Sequence, residues 1–136
     1  MARRPGRTRQ RRRGYVDYSD AQPSGLTWAA IQNRSGNFVE PTLANASAAL
    51  AGAELDDDLT YNPLNADGPD AYPITAPTYI LVYETYPDAD TVENLRTWLT
   101  WVLDEAQGFA DVVNFARLPE EIQRRALAQI DEIQVG

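Results

Sequence analysis

The apolar positions of this chain change their spacing along its length, and each change marks an element. Val92, Leu95, Leu99, Val102, Ala106, Phe109 and Val113 stand three and four residues apart, which draws one stripe down a long α-helix. Asp88 or Asp90 is placed to cap its start, and Gly108 stands where it would interrupt its end. A last helix opens at Leu118-Pro119-Glu120-Glu121, with proline in the first turn and two acids suited to the helix dipole. Ile122, Ala126, Ile130 and Ile133 form its apolar face. Upstream, TYILVYE (78–84) alternates Tyr79, Leu81 and Tyr83 against Ile80 and Val82, so both faces are apolar. Such a strand belongs inside a sheet covered on both sides, as in α/β proteins.

The first half reads in shorter pieces. Tyr15-Val16-Asp17-Tyr18 predicts a short strand and LTWAAIQ (26–32) a second extended stretch. The turn Asn33-Arg34-Ser35-Gly36-Asn37 followed by Phe38-Val39-Glu40 predicts a hairpin. Pro41-Thr42 introduces LANASAALAGAEL, an alanine-rich helix over about 42–52. Residues 56–69 then form an acidic loop rich in turn residues. No internal repeat is present.

Charge divides the chain at Gly14. Seven of its twelve arginines lie in residues 1–13, where there is no acid, while the other five face all 20 acids. Residues 14–136 therefore carry −15 against a net −8 for the whole. Residues 1–13 have no apolar residue beyond Met1 and Ala2, cannot bury a core, and are expected to be disordered. The charge alone fits a small interaction protein whose arginine tail binds nucleic acid or another polyanion. The tail has no interleaved aromatics for base stacking, and the acidic body repels phosphate backbones, so nucleic acid is the weaker expectation.

The absences narrow the chemistry further. Without Cys, His or Lys there is no Ser-His-Asp triad, cysteine nucleophile, ordinary zinc site, Schiff base or Walker-type lysine. No run approaches the roughly 18 apolar residues of a membrane span, and no apolar stretch follows the arginines to make a signal peptide. Asp56-Asp57-Asp58 fails as a calcium loop, because taking Gly68 as the loop glycine puts Pro63 and Ile74 where oxygen ligands are required. With 20 acids, close carboxylate pairs arise by chance and do not indicate sugar chemistry. Asn33-Arg34-Ser35 and Asn45-Ala46-Ser47 match a glycosylation pattern too common to assign. Trp98 lies near the apolar stripe and reads as core, whereas Trp101 lies off it. Ser24-Gly25-Leu26-Thr27 could be a phosphate-binding turn, but the segment after it reads as a strand and supplies no helix end.

Four blocks carry a resemblance. They are GYVDYSDAQ, LTWAAIQNRSGNFVEPTLANASAAL, DAYPITAPTYILVYE and LRTWLTWVLDEAQGFADVVNFARLPEEI. In order and spacing, across nearly all of 14–136, they resemble the C-terminal part of the phosphate-binding proteins of phosphate ABC transporters, a periplasmic solute-binding family. The resemblance implies an α/β chain forming the C-terminal portion of a two-lobed periplasmic-binding-protein (type 2) fold. It implies inorganic phosphate as ligand, ABC permease subunits as partners, a periplasmic or cell-envelope location, no enzymatic activity and no cofactor. The family's phosphate ligands come mainly from an N-terminal Ser/Thr-rich turn and an Arg-x-Asp-x-Ser-Gly-Thr-type motif before the glycine-tyrosine-valine strand. Neither motif occurs here, so no catalytic, phosphate-binding or metal residue is carried over, and Ser24-Gly25, which follows that strand, is not promoted to one. The expected organisation is a non-native arginine-rich tail over 1–13 and a partial phosphate-binding-protein-like domain over 14–136. A truncated or frame-shifted copy lacking the main ligand residues is the reading of the seam at Gly14, with weak or no phosphate affinity expected of the chain alone.

Overall fold

The computed structural model describes residues 14–136. The segment expected to be disordered, 1–13, lies outside them. Four α-helices, a 3₁₀ helix and two small sheets follow one another: α1 (Tyr18–Ala21), β1 (Ile31–Gln32), β2 (Phe38–Val39), α2 (Leu43–Ala51), β3 (Thr85–Tyr86), α3 (Ala89–Leu103), the 3₁₀ helix Glu105–Val113, α4 (Glu120–Ile130) and β4 (Gln134–Val135). This mixture of helices and small sheets is consistent with an α/β class.

The main core forms where α3, α4 and the second sheet meet. Val92, Leu99, Ile130 and Ile133 are buried together, with Tyr86, Leu95, Leu103 and Leu127 packed against them. Each fully buried aliphatic side chain of this kind contributes about 1.5–3 kcal/mol. Arg96 closes the arrangement from α3. Its Nε donates to the Ile133 carbonyl at 3.0 Å and its Nη2 to the Asp131 carbonyl at 2.9 Å. Those carbonyls follow the C-terminus of α4, where free acceptors and the negative dipole end favour a cation. The same turn delivers β4, which pairs parallel with β3 through Thr85↔Gln134 and Tyr86↔Val135.

The first half is held differently. β1 and β2 form the expected antiparallel hairpin, with Ile31 opposite Val39 and Gln32 opposite Phe38. Thr42 caps α2 by accepting from the Asn45 amide at 3.2 Å. Loop 62–73, closed on itself by Asn65 N–H to the Pro73 carbonyl, is joined to α2 through Tyr72 N–H to the Asn45 carbonyl. Val39, Ala49, Leu50, Pro63, Ala66 and Ala71 are buried in this half.

Several expectations need correction. Residues 15–18 form no strand: Tyr15 to Asp17 are irregular and Tyr18 opens a one-turn helix. Among the described residues only Ile31–Gln32 of the 26–32 stretch pairs, opposite Phe38–Val39. The long helical stripe stops at Leu103. Asp104 leaves helical geometry at φ −112°, ψ −90°, four residues before the glycine expected to interrupt it, and the backbone continues with i→i+3 turns. The period falls from 3.6 to 3.0, so positions drawn up for an α-helix rotate off the stripe. Phe109 is accordingly 62% exposed, and Val113 is exposed as well. Trp98 is not core but 48% exposed, since the α3 face packed on α4 runs through Val92, Leu95, Leu99 and Leu103.

The largest departure concerns 78–84. Sheet pairing begins only at Thr85, and Leu81 is 92% exposed and Tyr83 75%. A ladder needs a neighbouring strand, and among the described residues none lies beside 78–83.

Candidate functional site

Two open clefts flank the hairpin. The first, of about 710 Å³, lies between β2, the N-terminus of α2 and Pro69-Asp70. The second, of about 680 Å³, lies between Arg34, the C-terminal end of α2 and the loop carrying Tyr61 and Asp67.

Asn33 stands at the start of the hairpin turn between residues that line the two clefts. This side chain is only 6% exposed. Its Nδ2 donates towards three carbonyls, those of Gly68 at 3.1 Å, Pro69 at 3.0 Å and Ala71 at 3.2 Å. Its Oδ1 accepts from the Asn37 amide at 3.1 Å. Two amide hydrogens serve three acceptors, so one is shared. The arrangement ties the hairpin turn to loop 68–71 and leaves no free amide on Asn33. Asn45, in the other matching tripeptide, donates its Nδ2 to the Glu40 carbonyl.

An anion site needs donors or positive ends directed at one point. The described residues place theirs elsewhere. Arg34 pairs with Asp67 at 3.2 Å, Arg117 with Asp111 at 2.7 Å and Arg124 with Glu121 at 2.6 Å. Arg96 is spent on the carbonyls after α4. Arg125 donates to the Leu55 carbonyl at 3.2 Å and the Asp56 carbonyl at 2.7 Å, and lies 3.5 Å from Asp57. All five arginines of 14–136 are thus engaged by the chain itself.

The helix N-termini are taken in the same way. Asp88 caps α3, accepting from the Thr91 amide at 2.8 Å and from its hydroxyl at 2.9 Å. The first turn of α4 carries Glu120 and Glu121. The N-terminus of α2 opens onto the first cleft, but its Thr42 cap is in use and Glu40 and Asp70 line the same space. Glu54, Asp56 and Asp67 line the second cleft. Acidic side chains thus line both clefts.

The remaining candidates are placed plainly. Ser24-Gly25 sits in an exposed turn after α1, with Gly25 at φ +62°, and precedes no helix. Asp58 accepts from the Thr60 hydroxyl at 2.7 Å and amide at 3.0 Å, which holds its carboxyl below the usual carboxylate range. Among the described residues no group of three or more acids is arranged to hold a metal ion. The Tyr61 and Tyr72 hydroxyls are pushed up by burial, Tyr61 also by Tyr79 beside it, which leaves them protonated donors at neutral pH. Trp98 and Trp101 stand half exposed on the outer side of α3. The sequence marks Asn33 only as a turn residue and a glycosylation match, and it does not mark Arg96 or Arg125. Asn33 carried a weak signal as the buried-capable amide opening a turn, whereas the arginines act across more than 30 residues and left none. No described helix is long and apolar enough to cross a membrane.

No family model matches the chain. Individual curated proteins do. Phosphate-binding protein PstS of Pasteurella multocida is 28% identical over 118 residues, covering 85% of this chain and 34% of that protein. The protein of the same name from Haemophilus influenzae is 27% identical over 111 residues, 80% of this chain and 33% of its own length. That of the archaeon Methanocaldococcus jannaschii is 30% identical over 133 residues, 88% of this chain and 34% of its own. The chain thus spans about a third of the length of the curated relatives it matches, and its relationship to PstS-type proteins is a distant one.

Proposed function

We propose that this chain serves phosphate capture for an ABC-type importer, with residues 14–136 supplying scaffold and other residues supplying the anion ligands. The observation that carries the reading is co-linear similarity over four-fifths or more of the chain to proteins named as phosphate binders in two bacteria and an archaeon. The engagement of every arginine in 14–136 supports the second half of it. On this reading the part is non-enzymatic, acts in the periplasm or cell envelope, and works with inorganic phosphate and membrane permease subunits. Residues 14–136 form one segment of a two-lobed α/β fold.

The test is a chimera in which residues 14–136 replace the matching third of the P. multocida protein. Phosphate binding by calorimetry within roughly tenfold of the parent is expected, since a scaffold exchange leaves the ligand groups in place. A chimera that folds by circular dichroism yet gives no binding heat sinks the reading. Failure to fold counts equally against it. The chain alone is expected to give no binding heat at micromolar phosphate.

The charge of residues 1–13 supports a second reading, polyanion binding by an arginine-rich segment. Salt-sensitive DNA binding that disappears when residues 1–13 are deleted would favour it.

A further inference from the structure

Among all the aspartates and asparagines of the chain, only Asp67 is followed by glycine. An aspartyl-glycyl bond is able to close on itself, because glycine has no Cβ to shield its amide nitrogen and intramolecular attack forms a five-membered ring. A fold blocks this step by holding that amide in a hydrogen bond or by packing the carboxylate away. Neither restraint operates at this bond. The Asp67 side chain is 77% exposed, and Gly68 N–H donates to nothing among the described residues. The carboxylate pairs with Arg34 at 3.2 Å, an exposed ion pair of the kind that contributes little. The main chain on either side is, by contrast, engaged. The Asp67 carbonyl lies against Gly52, where a Cβ would not fit. The Gly68, Pro69 and Ala71 carbonyls converge on the Asn33 amide.

We propose that Asp67-Gly68 is a site of spontaneous isoaspartate formation, and that the conversion loosens the junction of loop 68–71 with the hairpin turn. The Gly68 nitrogen attacks the Asp67 side-chain carboxyl carbon. An N–C bond forms, the C–O bond to the carboxyl hydroxyl breaks, and the amide proton leaves with that hydroxyl as one water. Water then opens the resulting succinimide at either carbonyl. Opening at the former side-chain carbonyl restores aspartate, and opening at the main-chain carbonyl routes the backbone through the Asp67 Cβ. Water is the one co-reactant, and nothing is oxidised or reduced. The second product adds a methylene to the main chain just before the carbonyls that Asn33 holds. It also turns the Asp67 carbonyl, already tight against Gly52, into a carboxylate with a second oxygen to place. The inference is independent of phosphate binding and of the relationship to PstS-type proteins.

The test ages the full chain in warm neutral buffer and samples it over days, beside the same chain held unfolded in urea. Isoaspartate is counted by methyl transfer from labelled S-adenosylmethionine with an isoaspartyl O-methyltransferase, and its position is read by electron-transfer fragmentation. Signal rising with time at residue 67 in the folded chain is expected. Asp67→Glu keeps the charge, but its attack would have to form a six-membered ring, so it should give no signal there. Fragmentation locates the linkage in the parent chain itself, so the result does not depend on how the variant folds. In the isoaspartyl fraction, amide exchange at Asn65 and Tyr72 should rise, since their bonds to the Pro73 and Asn45 carbonyls bracket the site, while exchange along α3 stays as before. Signal at 67 in urea but none in the folded chain overturns the proposal, and so does signal that falls on other aspartates instead. An isoaspartyl chain with unchanged exchange at Asn65 and Tyr72 overturns the loosening.

Discussion

At the scale of single residues, Asn33 and Gly52 hold the first half together by opposite means. Asn33 satisfies three carbonyls and one amide in a nearly water-free place. Asn33→Ala leaves those groups without partners, at a cost of about 2–3 kcal/mol, visible as a lower urea midpoint. Gly52 works by being small: a Cβ there would fall against the Asp67 carbonyl oxygen. Gly52→Ala should therefore destabilise by about 1–3 kcal/mol although alanine is the better helix former, since strain from overpacking opposes propensity. Asp58 gives a pH prediction. Its bonds from Thr60 lower its folded pKa below the unfolded one, so the folded state binds fewer protons there. The resulting stability is present above the unfolded carboxyl pKa and is lost as pH falls through the folded one. Thr60→Ala should flatten the fall in urea midpoint between about pH 6 and pH 3. The effect is small, because the carboxylate is solvent-exposed.

At the scale of elements, capping and crossing contacts decide more than periodicity. Gln107 shows how the break after α3 is held. Its Nε2 donates to the Val102 carbonyl at 3.0 Å and its Oε1 accepts from the Leu118 amide at 3.0 Å. The side chain thus bridges the last turn of α3 to the residues that lead into α4, while Gln123 satisfies the Leu103 carbonyl from α4. The acidic loop is held to α4 in a comparable way. Arg125 takes the Leu55 and Asp56 carbonyls, and Gln129 Nε2 donates to the Asp57 carbonyl at 2.9 Å. The loop looked solvated in sequence, and its carboxylates are, but its backbone is pinned. Arg125→Ala should raise amide exchange across 55–61 at a cost of about 1–2 kcal/mol, with α3 unaffected.

Across the whole molecule, charge and uncovered apolar surface pull in different directions. Residues 14–136 carry −15, a self-repelling excess. Raising sodium chloride from about 0.01 M to 0.15 M shortens the screening length from about 30 Å to 8 Å and should raise the urea midpoint. The exposed side chains of 79–83 should bind a hydrophobic dye, and I80D/L81D should weaken its fluorescence. Similarity to PstS-type proteins coexists with acidic clefts because anion recognition depends on a few short-range donors, not on net charge.

The elements that could be read without coordinates are those made by neighbours in the chain. The sequence bounds α2 to within a residue or so and narrows the α3 cap to Asp88 or Asp90, of which Asp88 holds it. In both, the deciding bonds span three or four residues, Thr42 to Asn45 and Asp88 to Thr91. The hairpin turn was legible for the same reason. The four sequence blocks also carried the distant relationship, since order and spacing survive where identity does not. Folding alone decided the rest, because the partners lie far apart. Asn33 meets carbonyls 35–38 residues away, Arg96 reaches 35–37 residues, and Arg125 about 70. TYILVYE alternates as a strand would, yet pairing begins only at Thr85. Alternation is written in side chains, but a sheet requires neighbouring strands, and those described leave this one open.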